Sequence, residues 1–258
     1  MEWIEVSKNW VLIPPRPKAI VHFLGGAFVA TAPQITYRWL LEQIAQQGYI
    51  VIATPFINTL NHGIMAKKVL WTFEDGLEDL YSSRRLRQRG LPIYGVGHSM
   101  GCKLHLLIGS LFPVNRAGNI LISFNNYAAR ESIPLVEQLS SMMEVEFTPS
   151  PGQTNLIVQE RYQIRRNLLI KFTKDTIDQT LILNKILQRR FPGMVALQQL
   201  GGDHLTPVNQ DVSWSVGQTN TPFDAISQWI KQEIYRDLYR LKQEVLHWLD
   251  PIAQAQQK

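Results

Sequence analysis

Cysteine and long hydrophobic runs are scarce in this sequence. The single cysteine, Cys102, excludes an internal disulfide framework and a zinc cluster with cysteine ligands. The apolar runs are too short and too interrupted to span a bilayer. The opening segment MEWIEVSKNW lacks the basic and apolar regions of a signal peptide. We therefore expect a protein of a reducing, cytoplasmic compartment.

Signatures of nucleotide and nucleic-acid binding are also missing. No Lys-Ser/Thr pair follows the glycines at 25 and 26, and no Gly-x-Gly-x-x-Gly motif occurs. The net charge is +5 and arginines cluster at 82–90, 160–167 and 187–191, but neither zinc-finger spacing nor a long basic tail accompanies them. We expect no metal, no cofactor and no nucleic-acid partner. The basic clusters indicate solvated helix faces or, alternatively, peripheral contact with anionic lipid headgroups.

What is present is an alternation of short apolar segments and amphipathic segments. The 258 residues, 45% hydrophobic and 18% charged, suit one large globular domain covering 1–258. The alternation predicts an α/β fold with a mostly parallel sheet covered on both faces. Six buried strands are predicted, within 18–26, 49–56, 91–97, 117–126, 166–175 and 194–204. Helices are predicted over 33–48, 72–90 and 177–193.

Two further segments stand apart from this alternation. Residues 127–166 separate two predicted neighbouring strands and are long enough to predict a cap over an active-site mouth. Met142, Met143 and Phe147 in this insertion either contact a substrate or attach the insertion to the core. Residues 222–249 predict a long amphipathic helix that docks on the sheet, with membrane or partner contact as the alternative.

The segment LPIYGVGHSMGCKLHLLIGSLF places Gly-x-Ser-x-Gly between a predicted strand and a predicted helix. This arrangement is typical of a nucleophile elbow, in which glycines two residues before and after Ser99 avoid collision on a tight turn. The amide of Met100 would then face a developing oxyanion. A second donor is expected from the loop at Gly26 and Ala27. Phe28 and His98 are candidates for substrate contact.

A nucleophilic serine needs a histidine and an acid. Of six histidines, His204 alone directly follows a late strand, in LGGDHLTPV. The acid is expected after the preceding predicted strand. Asp175 lies closest to the end of that strand, whereas Asp178 is an alternative that could instead cap the following helix. The sequence favours Asp175 and leaves Asp178 open.

The segments VHFLGGAF, GVGHSMG, LLIKFTKD and GGDHLTP together resemble the α/β-hydrolase superfamily between about Lys18 and His204. FTPSPGQT, RNLLIKF and IDQT are similar to one uncharacterised branch of cyanobacteria and plant plastids, domain of unknown function 1350. The resemblance implies the α/β-hydrolase fold and no established substrate. It departs at the oxyanion strand, where His22-Phe23-Leu24-Gly25-Gly26 replaces the usual His-Gly.

These features predict a serine hydrolase that cleaves an ester or thioester, with a lipid-like acyl substrate preferred. One alternative is a catalytically silent hydrolase scaffold that acts as a binding or regulatory protein. Acyl transfer on the same residues is another. The sequence indicates no oligomeric state.

Overall fold

The computed structural model describes residues 1–27, 29–127, 146–208 and 222–250, with 222–234 described as helical backbone only. Eight strands lie in these ranges. They are β1 (Ile4–Val6), β2 (Asn9–Leu12), β3 (Ala19–Leu24), β4 (Tyr49–Ala53), β5 (Ile93–His98), β6 (Gly118–Ile122), β7 (Asn167–Phe172) and β8 (Val195–Leu200).

The strands form one sheet in the order β1-β2-β4-β3-β5-β6-β7-β8. β2 pairs antiparallel with both of its neighbours, and every pair from β4 to β8 is parallel. Every residue of β3, β4 and β6 is buried, as expected for central parallel strands covered on both faces. The predicted α/β architecture is therefore confirmed.

Seven helices lie in the described ranges. They are α1 (Pro33–Thr36), α2 (Arg38–Gln46), α3 (His62–Ser82), α4 (Met100–Leu111), α5 (Pro151–Arg161), α6 (Thr180–Arg190) and α7 (Pro222–Leu249). None of them combines the length and the apolar character that crossing a bilayer requires.

The helix predicted over 72–90 was placed wrongly. α3 begins at His62, where the Asn61 side chain accepts a hydrogen bond from the amide of Ile64, and it ends at Ser82. Asn61 supplies the N-cap at this earlier start, which the pattern over 72–90 did not indicate. Arg84 has a positive φ of 58°, so the basic cluster that follows Ser82 lies outside the helix.

α7 covers one face of the sheet along its described side chains. Leu238, Leu241 and Val245 are buried in the same core cluster as Leu40 of α2 and Val51 of β4. Burial of such aliphatic side chains contributes roughly 1.5–3 kcal/mol each. The amphipathic pattern in this part of α7 thus serves packing against the domain.

The predicted cap is described only in part. Residues 128–145, including Met142 and Met143, lie outside the described residues. α5 packs against the core through Val158, which shares a cluster with Leu106 of α4 and Leu183 of α6. The cap over 127–166 stays a prediction.

Candidate active site

The carboxyl ends of the parallel strands bring the candidate residues to one edge of the sheet. Ser99 follows β5, Asp175 lies three residues after β7, and His204 lies four residues after β8. Ligands in open parallel sheets bind at this edge, in the crevice outside the strand ends. The alternation of strands and helices is what carries residues 105 positions apart into contact.

Ser99 sits on a strained turn between β5 and α4. Its φ is 54° and its ψ is −117°, a conformation that costs non-glycine residues of order 1–3 kcal/mol. A Cβ on Gly97 would lie 2.7 Å from backbone atoms of Gly101, and one on Gly101 would lie 2.0 Å from the Leu24 carbonyl oxygen. Glycine is therefore required at both positions, because neighbouring backbone atoms leave no room for a side chain.

Ser99, His204 and Asp175 form a continuous hydrogen-bonded series. The Ser99 hydroxyl Oγ lies 2.9 Å from His204 Nε2, and His204 Nδ1 lies 2.7 Å from Asp175 Oδ2. Because the carboxylate can only accept, Nδ1 carries the imidazole proton and Nε2 is left to accept from the serine. The Asp175 side chain is fully buried and that of His204 is 18% exposed.

Asp175 is held in its ionised form. Burial alone would raise the pKa of its carboxyl, but the hydrogen bond and charge of His204 and the amide of Ile177 bring the pKa below its ordinary value. A carboxylate in this position can stabilise the imidazolium that forms when His204 takes a proton.

Asp178 has different partners. Its Oδ1 accepts from the Thr180 amide at 2.9 Å and its Oδ2 accepts from the Thr180 hydroxyl at 2.8 Å, at the start of α6. Burial raises its pKa, and these two hydrogen bonds oppose the rise. This carboxylate caps the helix start, while the contact with His204 belongs to Asp175.

A second series of hydrogen bonds runs from Gly26 through Tyr37 and His98 to the backbone of His204. The Tyr37 hydroxyl accepts from the Gly26 amide at 2.8 Å and lies 2.7 Å from His98 Nδ1. His98 Nε2 lies 2.8 Å from the backbone carbonyl of His204. Since that carbonyl can only accept, the proton of His98 is on Nε2, and Nδ1 accepts from Tyr37.

His98 remains neutral in this environment. Burial, together with the neighbouring His204, lowers its pKa to about 3. Its ring centroid lies 5.0 Å from that of His204. His98, next to Ser99 in the chain, thus holds the backbone of the His204 loop, a link that the sequence did not indicate.

The expected oxyanion donors have different surroundings. Met100 is the first residue of α4, where an amide has no acceptor within its own helix. The Gly26 amide already donates to Tyr37, so a role in an oxyanion hole would require an exchange of partner. Ala27 borders the cavity beside Ser99. Phe28 lies outside the described residues.

A cavity of about 350 Å³ opens above Ser99. Part of its wall is apolar, formed by Ala27, Val29, Met100, Phe147, Ile177 and Leu205. The predicted substrate-contact residues His98 and Phe147 both border it, and Phe147 is 4% exposed. Its size lies at the lower end of the range for small-molecule sites.

The other part of the cavity wall is polar, formed by Asn58, His62, Lys103, Asn125 and Asn126. None of these residues was singled out as a site residue from the sequence. One signal was present: Lys103 is the sole charged side chain in the otherwise apolar α4 segment MGCKLHLLIGSL. It is the fourth residue of α4 and borders the same cavity as Ser99.

In the described ranges, no cluster of three or more His, Cys, Asp or Glu side chains could hold a metal ion.

The fold has many solved counterparts. A Staphylococcus aureus S-formylglutathione hydrolase is 14% identical, with a TM-score of 0.55 over 92% of this chain and 98% of that one. A Pyrococcus furiosus esterase is 14% identical, with a TM-score of 0.54 over 79% and 83%. A fluorophosphonate-binding serine hydrolase of Staphylococcus aureus is 15% identical, with a TM-score of 0.54 over 89% and 91%.

These likenesses and the sheet order define the class: the chain has the α/β-hydrolase fold. The comparison with curated proteins yields no match. A family described as protein of unknown function, DUF1350, matches residues 2–251, and the chain belongs to that family. The resemblance drawn from the sequence motifs is thereby confirmed.

Proposed function

We propose that the protein is a serine hydrolase of carboxylic esters or thioesters. The observation that supports this most directly is the series Ser99 Oγ, His204 Nε2, Asp175 Oδ2, with separations of 2.9 and 2.7 Å. Nucleophile, base and orienting acid each lie within the range required for proton transfer. The series opens onto a cavity with room for an acyl group.

In the proposed reaction His204 Nε2 takes the hydroxyl proton as Ser99 Oγ attacks the carbonyl carbon. The Met100 and Ala27 amides stabilise the tetrahedral oxyanion, each by about 3 kcal/mol. His204 then passes the proton to the departing alcohol or thiol, which leaves an acyl-Ser99. Water, deprotonated by His204, attacks the acyl carbon, and the carboxylic acid is released as Ser99 regains its proton.

The lipid-like acyl substrate, membrane-surface contact and cytoplasmic location stay predictions. The apolar side of the cavity favours an aliphatic substrate portion, since Met100, Phe147 and Leu205 form part of it. Acyl transfer uses the same first half-reaction as hydrolysis. Adding an alcohol that competes with water would distinguish them, because acyl transfer would yield a new ester.

A fluorophosphonate probe tests the nucleophile. We expect the wild-type protein to label and Ser99→Ala to remain unlabelled, because the probe reacts with an activated serine hydroxyl. Ser110→Ala is the matched control, since Ser110 is buried in the same helix and bonds the Leu106 carbonyl. Labelling of Ser99→Ala, or an unlabelled folded wild type, would overturn the proposal and favour a silent scaffold.

A further inference from the structure

The polar wall of the cavity contains buried polar atoms without a partner in the described protein. They are both ring nitrogens of His62, Oδ1 of Asn58 and Oδ1 of Asn126. Native proteins retain few buried groups of this kind, because no hydrogen bond offsets the loss of their contact with water. Four such atoms on one cavity wall, beside a candidate nucleophile, indicate that a polar ligand belongs there.

Lys103 adds a positive charge to the same wall. Its side chain is 1% exposed, and its ammonium lies 3.3 Å from the Pro149 carbonyl and 5.5 Å from the Phe147 ring centre. An ammonium offers three donors, and the Pro149 carbonyl accepts one of them. Buried lysines are normally paired with an acid. In the described ranges no carboxylate forms a direct ion pair with Lys103, although the negative charge of Glu146 acts on its ammonium.

The charge state of this wall follows from burial. Burial lowers the pKa of Lys103 to about 8, with the charge of Glu146 opposing the decrease, so the ammonium is charged at neutral pH. Burial, together with the charge of Lys103, also lowers the pKa of His62 to about 3. The Lys103 ammonium and one neutral His62 N–H can therefore donate to a carboxylate, whereas the other ring nitrogen and the Asn58 and Asn126 oxygens can only accept.

The polar wall lies in the same cavity as Ser99. Ser99, the residue before α4, and Lys103, the fourth residue of α4, border the same cavity. The His62 ring centre lies 4.2 Å from that of Phe147, with the planes tilted by 31°, and the Lys103 ammonium lies 5.5 Å from the same Phe147 ring centre. In a cavity of about 350 Å³, only a short acyl chain fits between a carbonyl at Ser99 and an anion at Lys103.

We propose that the acyl group of the substrate ends in a carboxylate, which the Lys103 ammonium and the His62 imidazole bind. This rests on the proposed hydrolase function. The acid is assigned to the acyl portion because that portion stays attached to Ser99 through both half-reactions. A subsite in the same cavity can then assist acylation and deacylation alike. The substrate class is a monoester or monothioester of a short dicarboxylic acid.

The test compares the monoethyl ester of glutaric acid with diethyl glutarate and ethyl octanoate. We expect the wild type to show a kcat/KM for the charged monoester at least tenfold above that for the neutral diester. Lys103→Met should lower this ratio at least tenfold, whereas Lys68→Met, on the exposed face of α3, should leave the ratio unchanged. A wild-type ratio of one or less, or a ratio insensitive to Lys103→Met, overturns the proposal. A higher kcat/KM for ethyl octanoate than for the charged monoester also overturns the proposal and supports the prediction of a lipid-like substrate.

Two measurements separate this proposal from the hydrolase function. If Ser99 labels with fluorophosphonate while the ratio is one or less, the carboxylate subsite alone is wrong. If neither labelling nor turnover occurs, calorimetry with glutarate decides. Binding by the wild type that weakens at least tenfold in Lys103→Met supports the subsite without the reaction. Absence of glutarate binding overturns the subsite in that case.

Discussion

At the residue scale, two aspartates three positions apart have separate partners. Asp175 reaches His204 Nδ1 at 2.7 Å, and Asp178 bonds the amide and hydroxyl of Thr180. The difference follows from position along the chain, because Asp175 lies three residues after β7 whereas Asp178 lies two residues before α6 and bonds its first residue. Carboxylates of the same type thus serve orientation of an imidazole in one case and helix capping in the other.

The acid assignment is tested by exchanging each carboxylate for an amide. Asp175→Asn should lower kcat by about 10³- to 10⁴-fold, because the amide cannot hold His204 in the required tautomer. Asp178→Asn should retain kcat within about threefold, since asparagine is as good a capping residue as aspartate. Steady-state kinetics on one ester measures both variants. An equal loss in the two would show that the acid is misassigned.

At the scale of elements, α4 approaches β3 and β5 so closely that the backbone itself forms the contact. A Cβ on Gly101 would lie 2.0 Å from the Leu24 carbonyl oxygen. Tyr37, between α1 and α2, joins the same region by linking the Gly26 amide to His98. The elbow, the loop after β3 and the His204 loop therefore form one hydrogen-bonded unit.

Gly101→Ala should destabilise the fold by about 3 kcal/mol or more, because overpacking here displaces backbone and not a flexible side chain. Gly152→Ala is the control: it lies in the first turn of α5 with no atom within 4 Å of the added Cβ. That variant should be unchanged or more stable by about 0.5–1 kcal/mol. Urea unfolding measures both free energies. A cost below about 1 kcal/mol for Gly101→Ala would contradict the close approach.

At the scale of the whole molecule, charge is distributed unevenly between surface and interior. Several clustered arginines hold elements together: Arg166 stacks on Trp248 of α7, and Arg190 donates to the Gln159 carbonyl. The basic clusters therefore have structural contacts besides any anionic partner.

The interior contains four buried histidines, His22, His62, His98 and His105.

Acid should destabilise the protein through these buried histidines. Burial is the largest cause of a pKa well below 6.5 in each. Below pH 6.5 the unfolded chain binds protons that the folded chain does not. Stability is therefore complete above pH 6.5 and falls by up to about 1.4 kcal/mol per pH unit per histidine as pH decreases. Unfolding free energies in urea should drop by several kcal/mol from pH 7.5 to 5.5.

Two histidine variants test whether the buried histidines cause the pH dependence of the unfolding free energy. His105→Gln should make the slope shallower by about one histidine's share, because His105 is 2% exposed inside the core. His247→Gln should leave the slope as it is, since His247 lies on the exposed side of α7. A free energy of unfolding that is constant between pH 7.5 and 5.5 would refute the buried-histidine explanation.

The sequence alone determined the features that depend on local pattern. The apolar segments predicted the parallel strands, and the glycines at 97 and 101 predicted the tight turn at Ser99, because both follow from short-range sterics and burial. His204 was predicted as the base from its position after a late strand. The start of α3 was missed, since a single asparagine cap decided it.

Only the tertiary structure decided which side chains meet. Nothing in the local pattern indicated that Tyr37 links Gly26 to His98, or that His62 lies in the same cavity wall as Lys103. The choice of Asp175 over Asp178 likewise needed distances across the sheet edge. These contacts join residues distant in the chain, and their geometry depends on how strands, helices and loops pack together in three dimensions.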